Sequence, residues 1–383
     1  MAGPATESLL EGRGLTVCTE AMGTPGNPIC FHAAHMPMAP LVLALGIRLL
    51  GNNYLPVSFF KVLLLLIPVE LAIWMVWRRI PLDPKPRLAA ALLLFAPFVI
   101  TSFLACVINL MVEEGYSYSF LALAVAILFF SEELDVPLTL LFAITLDCLY
   151  LSKSAMALAV IVLLVGYLLM QRQSGLRLLA IALVVAAPVG WAVYQHHASG
   201  RYTLGTSLDG INLHKGNNAA FLEHYPPPAG DTLDRYDQDL NRGLHFTDEW
   251  SFNDYHRRAA IDYVVRHPGE TFQGDLRKLY VLLISVKKVG SQGLHGAVGS
   301  LWETATLVLF RLILWAAIAF SLHALLRPTK HDPSRRLVAE IFLTLVAVCV
   351  LPYVAGFAFT RHASVLIYPA SLMCCRMWTV APK

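Results

Sequence analysis

Two glutamates and one lysine stand at the ends of apolar stretches, where charged side chains are costly. Glu113 and Glu114 are adjacent at the start of one apolar block, and Lys153 lies between two others. Such groups have to meet water, a counter-ion or a substrate. The glutamates could act as a general base or hold an acceptor or a metal, and Lys153 could neutralise a lipid phosphate. The simpler interpretations are solvated loop ends and a lysine that snorkels to the interface.

A stretch rich in glycine and amide side chains covers residues 205–218 and contains Asn212, Lys215, Asn217 and Asn218. Glycine together with Asn and Asp allows positive φ angles and a close approach of the backbone to a ligand. Amide side chains both donate and accept hydrogen bonds, as sugar hydroxyls require. These side chains are therefore candidate ligands of a sugar or an acceptor, although the spacing alone indicates only a structured loop.

Arg361 and His362 stand between the last two apolar blocks. Arginine can hold a phosphate with two parallel hydrogen bonds, so the pair is a candidate phosphate site, with an interfacial anchor as the alternative. His32 and His35 raise the question of a metal, but no carboxylate or cysteine completes a recognised ligand spacing. The sequence therefore assigns no definite cofactor and leaves a divalent metal open.

Two of the seven cysteines, Cys18 and Cys30, lie in a polar N-terminal stretch, and the other five lie in apolar blocks. If the polar stretch faces an oxidising compartment, the two could form a disulfide. If it does not, both remain free thiols, and the sequence leaves the two alternatives open.

The composition indicates what kind of chain positions these residues. Hydrophobic residues make up 57% and charged residues 14% of the 383 residues, against about 25% charged residues in an ordinary soluble domain. The mean hydropathy is +0.59. These values exclude a soluble globular enzyme and a disordered chain, and a scattered net charge of +3 excludes a nucleic-acid partner. The chain is predicted to be an all-α polytopic membrane protein in a lipid bilayer.

Windows of about 20 residues divide the apolar residues into nine predicted spans. A further apolar block at 38–50 is too short to span and contains Arg48, so we interpret it as an interfacial amphipathic helix on the outer face. The nine predicted spans lie near 55–77, 88–110, 116–131, 136–151, 155–170, 178–195, 301–326, 337–358 and 363–380.

The basic residues set the predicted orientation, because short loops rich in Lys and Arg stay in the cytoplasm. Three such loops lie at 78–87, 171–177 and 327–336, whereas the loop at 111–119 has two glutamates and no basic residue. Nine spans then place the N-terminal segment and the long polar segment outside. The predicted divisions are a first outer loop (1–54), a six-span module (55–195), an outer lid of mixed and helical structure (196–300) and a three-span module (301–383).

The outer lid contains two predicted helices. The first covers about 254–266, with Asn253 or Asp254 as its N-cap and Pro268 after its end. The second covers about 270–283. The charges of the lid nearly cancel, which argues against a polybasic lipid tether.

Several short motifs occur in a fixed order along nearly the whole chain. Each is weak alone, and the ordered set is more specific. The most specific is Pro-Val-Gly-Trp at 188–191, followed by Gly-Ile-Asn-Leu at 210–213 and Gly-Asn-Asn at 216–218. The others are Glu-Gly-Arg-Gly at 11–14, His-Met-Pro-Met-Ala-Pro at 35–40, the glutamates at 113–114, Leu-Ser-Lys-Ser at 151–154, His-Pro at 267–268 with Lys278, and Arg-His at 361–362.

In this order the motifs resemble the polytopic GT-C glycosyltransferases, in particular the bacterial protein-mannosyltransferase and aminoarabinose-transferase group. The resemblance implies a GT-C-like bundle in the bacterial inner membrane, with its active face extracytoplasmic. It also implies inverting transfer of a sugar from a polyprenyl-phosphate donor to a glycan, lipid or protein acceptor. The implied roles are catalysis by Glu113 and Glu114, phosphate binding by Lys153, Arg361 and His362, and sugar or acceptor binding by His35, Asn212, Lys215, Asn217 and Asn218.

The chain departs from the family pattern near its N-terminus. The family's first span and base aspartate would lie upstream of residue 1 or be missing. Glu7, Glu11 and Glu20 do not match the base position. His35 stands where the family usually has arginine, so the fold carries over better than the activity.

Two alternative functions remain open at this stage. A transporter or flippase for lipid-linked sugars needs charged groups near mid-membrane, and Lys61, Glu70 and Asp147 are the candidates. A non-catalytic relative would bind a polyprenyl-phosphate sugar without transferring it.

Overall fold

The computed structural model describes residues 3–24, 27–108, 113–131, 133–226, 240–287, 297–326 and 333–376. In these ranges the chain is mostly helical, with one two-stranded antiparallel sheet. The strands are β1 (Val17–Thr24) and β2 (Asn27–Phe31). Numbered in chain order, the helices are α1 (Pro4–Leu10), α2 (Met38–Leu50), α3 (Tyr54–Trp77), α4 (Pro84–Phe95), α5 (Thr101–Ile108), α6 (Glu114–Phe130), α7 (Val136–Ser152), α8 (Ala157–Met170), α9 (Ser174–Ser199), α10 (Asp209–Lys215), α11 (Phe221–His224), α12 (Glu249–Arg266), α13 (Pro268–Leu283), α14 (Ala297–Leu326), α15 (Pro333–Ala355), α16 (Thr360–Ala363) and α17 (Ile367–Arg376).

Four of these helices are long and apolar enough to cross a membrane, which agrees with the predicted all-α membrane protein. The apolar helices α6, α7 and α8 have 17, 17 and 14 residues. A helix of 17 residues reaches only about 25 Å, against a hydrocarbon core of about 30 Å. The count of nine spans therefore stays a prediction. The four long apolar helices are Tyr54–Trp77, Ser174–Ser199, Leu301–Leu326 and Ser334–Ala355.

The apolar block 88–110 is not one continuous helix, contrary to the sequence prediction. After α4, a 3-10 turn covers Ala96–Val99, and Ile100 is extended before α5 begins. Pro97 accounts for the break, because proline has no amide hydrogen to donate and its ring crowds the preceding helical turn.

Two other helices have bounds close to those that the sequence predicts. α2 covers Met38–Leu50, and its location at a membrane interface stays a prediction. α13 begins at Pro268, two residues before the predicted start. Proline is well suited to the first turn of a helix, because its fixed φ is helical and the missing amide would have no partner there.

The contacts between residues divide the chain into two compact units, each built from three separate segments. The predicted outer segments 1–54 and 196–300 fall mostly within unit 1, while the four-part division of the sequence stays a prediction. Unit 1 consists of Met1–Phe60, Val189–Gln292 and Val350–His362. Unit 2 consists of Lys61–Pro188, Gly293–Cys349 and Ala363–Lys383.

Unit 1 has a small aromatic core where the β1–β2 hairpin packs against α12. Phe252 of α12 meets Phe31 of the hairpin edge-on, with ring centroids 5.4 Å apart. The Phe246 ring also meets the Phe252 ring edge-on, with centroids 5.2 Å apart. Ile29 and Ile211 are buried in this cluster, so the core also includes α10.

A buried carboxylate fixes the end of the hairpin to α12. Oε2 of Glu249 accepts hydrogen bonds from the amides of His32 (3.0 Å) and Ala33 (3.1 Å). The side chain of Gln195, in α9, donates to the carbonyl of His32 at 3.1 Å. His32 and Glu249 are 217 residues apart in the sequence, so this core depends on a long-range contact.

α12 begins earlier than the sequence predicts, and its N-cap is neither Asn253 nor Asp254. Asp248 is the N-cap, and its Oδ1 accepts hydrogen bonds from the amides of Trp250 (2.8 Å) and Ser251 (2.9 Å). The hydroxyl of Ser251 in turn accepts a hydrogen bond from the Asp248 amide at 3.2 Å. This reciprocal capping box outweighs the later candidates, because it satisfies amides at the first turn of the helix.

Unit 2 is arranged around α6, which is buried along nearly its whole length. α7 packs against α6, and α17 packs against both α6 and α14. α17 has ten residues, fewer than the predicted span 363–380, and nine of them are buried. Residues after 376 lie outside the described ranges, so that span stays a prediction.

Cys18 and Cys30 form a disulfide, which decides between the two alternatives that the sequence leaves open. The two residues face each other across the β1–β2 pair. Disulfides persist in oxidising compartments, and the outer location of the N-terminal segment stays a prediction.

We expect the double replacement Cys18→Ser and Cys30→Ser to lower the free energy of unfolding by about 2–3 kcal/mol. The bond closes a loop with a sequence separation of 12, and closing a loop of about 15 residues removes about 3 kcal/mol of chain entropy. Thermal unfolding in detergent measures the effect. Alkylation without reductant should leave Cys18 and Cys30 unmodified, and alkylation after reduction should modify both; alkylation of Cys18 without reductant would contradict the prediction.

Candidate functional site

A buried ion pair in unit 2 lies where α6 begins and α7 ends. Nζ of Lys153, the first residue after α7, is 2.7 Å from Oε1 of Glu114, the first residue of α6. The two side chains are only 18% and 8% exposed. The hydroxyls of Ser117 and Ser152 are hydrogen-bonded at 2.8 Å, so the two helices run antiparallel here. The structure thus brings a candidate catalytic residue and a candidate phosphate ligand together.

Lys61 of α3 adds a second ammonium group to this cluster. Its side chain is fully buried, and Nζ donates a hydrogen bond to the carbonyl of Cys106 at 3.4 Å. Nζ also lies 5.2 Å from the centre of the Tyr116 ring, a cation–π distance. The Glu114 carboxylate is close enough to interact with Lys61 electrostatically. Glu114 is therefore ion-paired with Lys153, and Lys61 lies within electrostatic range of the same carboxylate.

Gly115 allows α5 to approach the first turn of α6. A Cβ at this position would lie 2.7 Å from the carbonyl oxygen of Cys106, closer than Cβ atoms come in practice. The same carbonyl accepts the hydrogen bond from Lys61. Any side chain at position 115 would therefore move α5 and disturb the lysine.

Glu113 occupies the N-cap position of α6 and is half-buried. The unpaired amides at a helix N-terminus stabilise a nearby negative charge. The cluster therefore contains two carboxylates, Glu113 and Glu114, together with the ammonium groups of Lys61 and Lys153. It can hold an anion with the lysines and accept a proton with a carboxylate.

Arg361 and His362 lie in unit 1, in the short helix α16. The guanidinium of Arg361 lies 4.5 Å from the centre of the Phe359 ring. Nδ1 of His362 accepts a hydrogen bond from the Phe359 amide at 3.2 Å, and its ring stacks on Tyr353 at 4.0 Å. Both side chains are thus packed on aromatic rings. Because Lys153 belongs to unit 2, its convergence with Arg361 stays a prediction.

The amide groups of Asn217 and Asn218 hold the chain where α10 ends. Asn217 donates to the carbonyls of Leu213 (2.8 Å) and Ala355 (2.7 Å). Asn218 donates to the carbonyl of His214 at 2.7 Å. Both residues are buried, and their amide nitrogens serve the main chain. Their predicted role in sugar binding stays a prediction, and their structural role is established by these contacts.

The other candidate sugar or acceptor ligands are more accessible. Asn212 and His35 are exposed, and Lys215 is half-buried at the end of α10. All three belong to unit 1, the same unit as Arg361. The structure therefore groups the five sugar or acceptor candidates with one set of phosphate candidates, and it groups the glutamates with Lys153 in the other unit.

Lys278 of α13 ties together the segments that follow α10 and α15. Its buried Nζ donates to the carbonyls of Gly216 (3.3 Å) and Gly356 (3.2 Å) and lies 2.9 Å from Oδ1 of Asp275. Burial lowers the pKa of Lys278, and the Asp275 carboxylate opposes that shift. Gly216 has no room for a side chain, because a Cβ there would overlap the Gly356 carbonyl.

Within the described part of the chain, no group of three His, Cys, Asp or Glu side chains is placed to hold a metal ion. The sequence had already offered no recognised ligand spacing around His32 and His35. The divalent metal that the sequence leaves open therefore has no candidate ligand set in these ranges.

No protein-family model matches this chain, and no curated protein or solved structure matches it either. The resemblance to GT-C glycosyltransferases therefore depends on the ordered motifs alone. The functional argument depends on the residues of the two units and on their geometry.

A histidine pair lies inside unit 1, between α10 and α12. Nδ1 of His214 is 2.9 Å from Nδ1 of His256, and Nε2 of His256 is 3.0 Å from Oδ1 of Asn241. Because the Asn241 oxygen only accepts, Nε2 of His256 carries the proton and its Nδ1 accepts one from His214. Burial, then the charges of His214 and Lys215, lower the pKa of His256 to about 3, and burial lowers the pKa of His214.

We expect unit 1 to lose stability as the pH falls below about 6.5, the usual pKa of an unfolded histidine. The folded pKa of His256 is depressed to about 3, so its contribution is complete above the unfolded pKa and is lost as the pH falls towards the folded one. For one proton, the free energy of unfolding changes by at most about 1.4 kcal/mol per pH unit. Thermal unfolding between pH 7.5 and 5 measures it. His256→Gln should flatten the slope and the exposed control His35→Gln should retain it; equal slopes in all three proteins would contradict the assignment.

Sequence reasoning did not place Lys61 or Glu249 in these clusters. Lys61 was visible as a charged residue inside an apolar block, which is a functional signal by itself, but its partners come from α5 and α6. Glu249 gave no signal, because an acidic residue in the first turn of a helix is ordinary. Only the fold shows that its carboxylate is buried against the hairpin.

Proposed function

We propose that this chain is a membrane glycosyltransferase that transfers a sugar from a polyprenyl-phosphate donor to an acceptor hydroxyl. One observation carries the proposal: Glu114 is ion-paired with Lys153, with a second ammonium group, that of Lys61, in electrostatic range, at the end of a bundle of apolar helices. A phosphate carried on a long apolar chain meets the protein at such a boundary. The ordered motifs that resemble the GT-C enzymes support the same reaction.

In this mechanism the acceptor oxygen attacks the anomeric carbon as the bond from that carbon to the donor phosphate breaks, with inversion. Lys61 and Lys153 stabilise the negative charge that develops on the leaving phosphate. Charge stabilisation by groups already in place is the usual main source of catalysis in such reactions. The half-buried Glu113 accepts the proton of the acceptor, while Glu114 holds Lys153 in place.

The proposal includes a GT-C-like bundle with about nine spans in a bacterial inner membrane, and an active face outside the cytoplasm. The resemblance assigns acceptor recognition to Asn212, Lys215 and His35 and further phosphate contacts to Arg361, all of which belong to unit 1. The resemblance and the distribution of basic loops support this arrangement. An acceptor that is a glycan, a lipid or a protein fits the proposal equally.

Sugar transfer by the purified protein in proteoliposomes, from a panel of polyprenyl-phosphate sugars, tests the proposal. We expect Lys153→Met to reduce the rate by at least about 100-fold, the usual effect of removing one charge-stabilising group. Arg336→Gln is the matched control, because it removes a positive charge from an exposed ion pair with Glu340. Unchanged rates in Glu113→Gln, Glu114→Gln and Arg361→Ala would overturn the assigned site.

The non-catalytic alternative is favoured by one observation, the commitment of Glu114 to Lys153 in an ion pair. A carboxylate held by an ammonium group is a weak base, and such a site binds an anion better than it deprotonates an acceptor. This alternative predicts saturable binding of a polyprenyl-phosphate sugar that Lys153→Met weakens, with no transfer to any acceptor. Transport of the donor across the vesicle membrane without transfer would instead indicate a flippase.

A further inference from the structure

A cavity of about 580 Å³ lies in unit 2, at the opposite end of α6 from the Glu114–Lys153 pair. It is bounded by the last turns of α3, the end of α6 and the first turns of α7. Because α6 has 17 residues, its two ends are about 24 Å apart. The cavity is therefore separate from the proposed catalytic site, and its volume is in the usual range of about 300–1,000 Å³ for ligand sites.

The inner wall of the cavity is apolar. It is formed by Leu71 and Met75 of α3, Phe130 of α6, and Leu138 and Leu141 of α7. No acid or base is among these five side chains, so the wall suits a hydrocarbon chain. Leu71 is also exposed on α3, so the apolar surface continues from the cavity to the outside of the helix.

Among the described residues, the rim of the cavity is polar and has two positive charges against one negative charge. Arg78 and Arg79 line it where α3 ends, and Glu133 supplies one carboxylate. The guanidinium of Arg78 lies over the Trp74 ring at 4.7 Å. The buried hydroxyl of Ser131, which also lines the cavity, has no hydrogen-bond partner among the described residues. Two guanidinium groups and a hydroxyl are the donors that a phosphate accepts from.

We propose that this cavity binds an anionic glycerophospholipid. The phosphate lies between Arg78 and Arg79 and accepts a hydrogen bond from Ser131. One acyl chain follows the wall formed by Leu71 and Leu138. The rim belongs to the basic loop 78–87, which the sequence predicts to be cytoplasmic, and the cytoplasmic leaflet carries the negative surface potential that anionic lipids provide. Trp74 is placed as aromatic residues at a membrane interface usually are.

Thermal unfolding of the full chain in detergent, with added lipid, tests the proposal. We expect phosphatidylglycerol to raise the melting temperature in a saturable way, and phosphatidylcholine and inorganic phosphate to do so much less. Arg78→Gln and Arg79→Gln should each weaken the apparent affinity for phosphatidylglycerol at least about tenfold, the loss expected for one hydrogen bond to a charged group. Lys85→Gln, which removes an exposed charge from the same loop, should leave the affinity unchanged.

Four results would overturn the proposal. Equal stabilisation by phosphatidylcholine would show that the head group is not recognised, and equal stabilisation by inorganic phosphate would show an anion site without a lipid. If Lys85→Gln lost as much affinity for phosphatidylglycerol as the two arginine variants, the effect would be one of general charge. If the arginine variants do not fold, Leu138→Trp fills the acyl end of the cavity and keeps the rim, and an unchanged affinity in that variant would also contradict lipid binding.

Discussion

Replacement of Gly216 by alanine is expected to destabilise unit 1 by about 3 kcal/mol or more. A Cβ at this position overlaps the carbonyl group of Gly356, which is backbone and cannot rotate away. The carbonyl oxygens of Gly216 and Gly356 both accept a hydrogen bond from Nζ of Lys278. Moving either segment would therefore also loosen a buried ammonium group. Overpacking against side chains costs about 1–3 kcal/mol. A clash with backbone, which cannot move aside, should cost as much as the top of that range or more.

Thermal or SDS-induced unfolding of the purified variants in detergent measures this effect. Gly269→Ala is the matched control, because Gly269 lies in the first turn of α13 and a Cβ there meets nothing within 4 Å. The control should be neutral or more stable by up to about 1 kcal/mol, since alanine is the better helix former. A Gly216→Ala protein as stable as the Gly269→Ala protein would show that the two segments are not in contact.

Separate removal of Lys153 and Glu114 should be costly, and removal of both should be much less so. Each of Lys153→Met and Glu114→Gln leaves the other, largely buried partner without the counter-charge that lies 2.7 Å away in the native protein. Breaking a fully buried pair costs about 3–5 kcal/mol; because the side chain of Lys153 keeps 18% exposure, we expect roughly 2–4 kcal/mol. The double replacement puts two uncharged side chains in place of the pair and should recover at least half of the summed losses.

A double-mutant cycle on the free energy of unfolding measures this coupling. The exposed pair of Arg336 and Glu340 provides the comparison, and its coupling should be at most about 0.5 kcal/mol, as for other exposed pairs one helical turn apart. Additive losses at Glu114 and Lys153 would mean that the two charges do not interact in the folded protein. The cycle concerns stability only, so it is independent of whether sugar transfer is observed.

The long apolar helices were predictable because a segment surrounded by lipid must be apolar along its whole length. The hydropathy of α3, α9, α14 and α15 alone was enough to predict them. The break after α4 was harder to predict, since the block around Pro97 remains apolar throughout and only backbone chemistry interrupts it. The start of α12 had a readable signal in Asp248 and Ser251, but two other capping residues followed it within six positions.

The candidate site was predicted residue by residue and not as a set of partners. Glu114 and Lys153 each stood out as charges at the edge of apolar blocks, but they are 39 residues apart in the sequence. Their pairing requires that α6 and α7 be antiparallel neighbours, which hydropathy does not show. The side-chain amides of Asn217 and Asn218 could donate hydrogen bonds either to a sugar or to the unpaired carbonyls at the end of a helix, because both partners offer oxygen acceptors. Only the positions of the neighbouring carbonyls decide what their nitrogens bind.

The three-segment composition of unit 1 has a consequence for the order in which the chain can fold. Its hairpin ends at Phe31, its anchoring carboxylate is residue 249, and its last segment ends at His362. The β1–β2 hairpin is therefore synthesised well before the carboxylate that fixes its end, which follows His32 by 217 residues. Contacts between distant parts of a sequence slow folding and prolong the exposure of apolar surface. Early covalent closure of the hairpin by Cys18 and Cys30 would preserve its register during that delay.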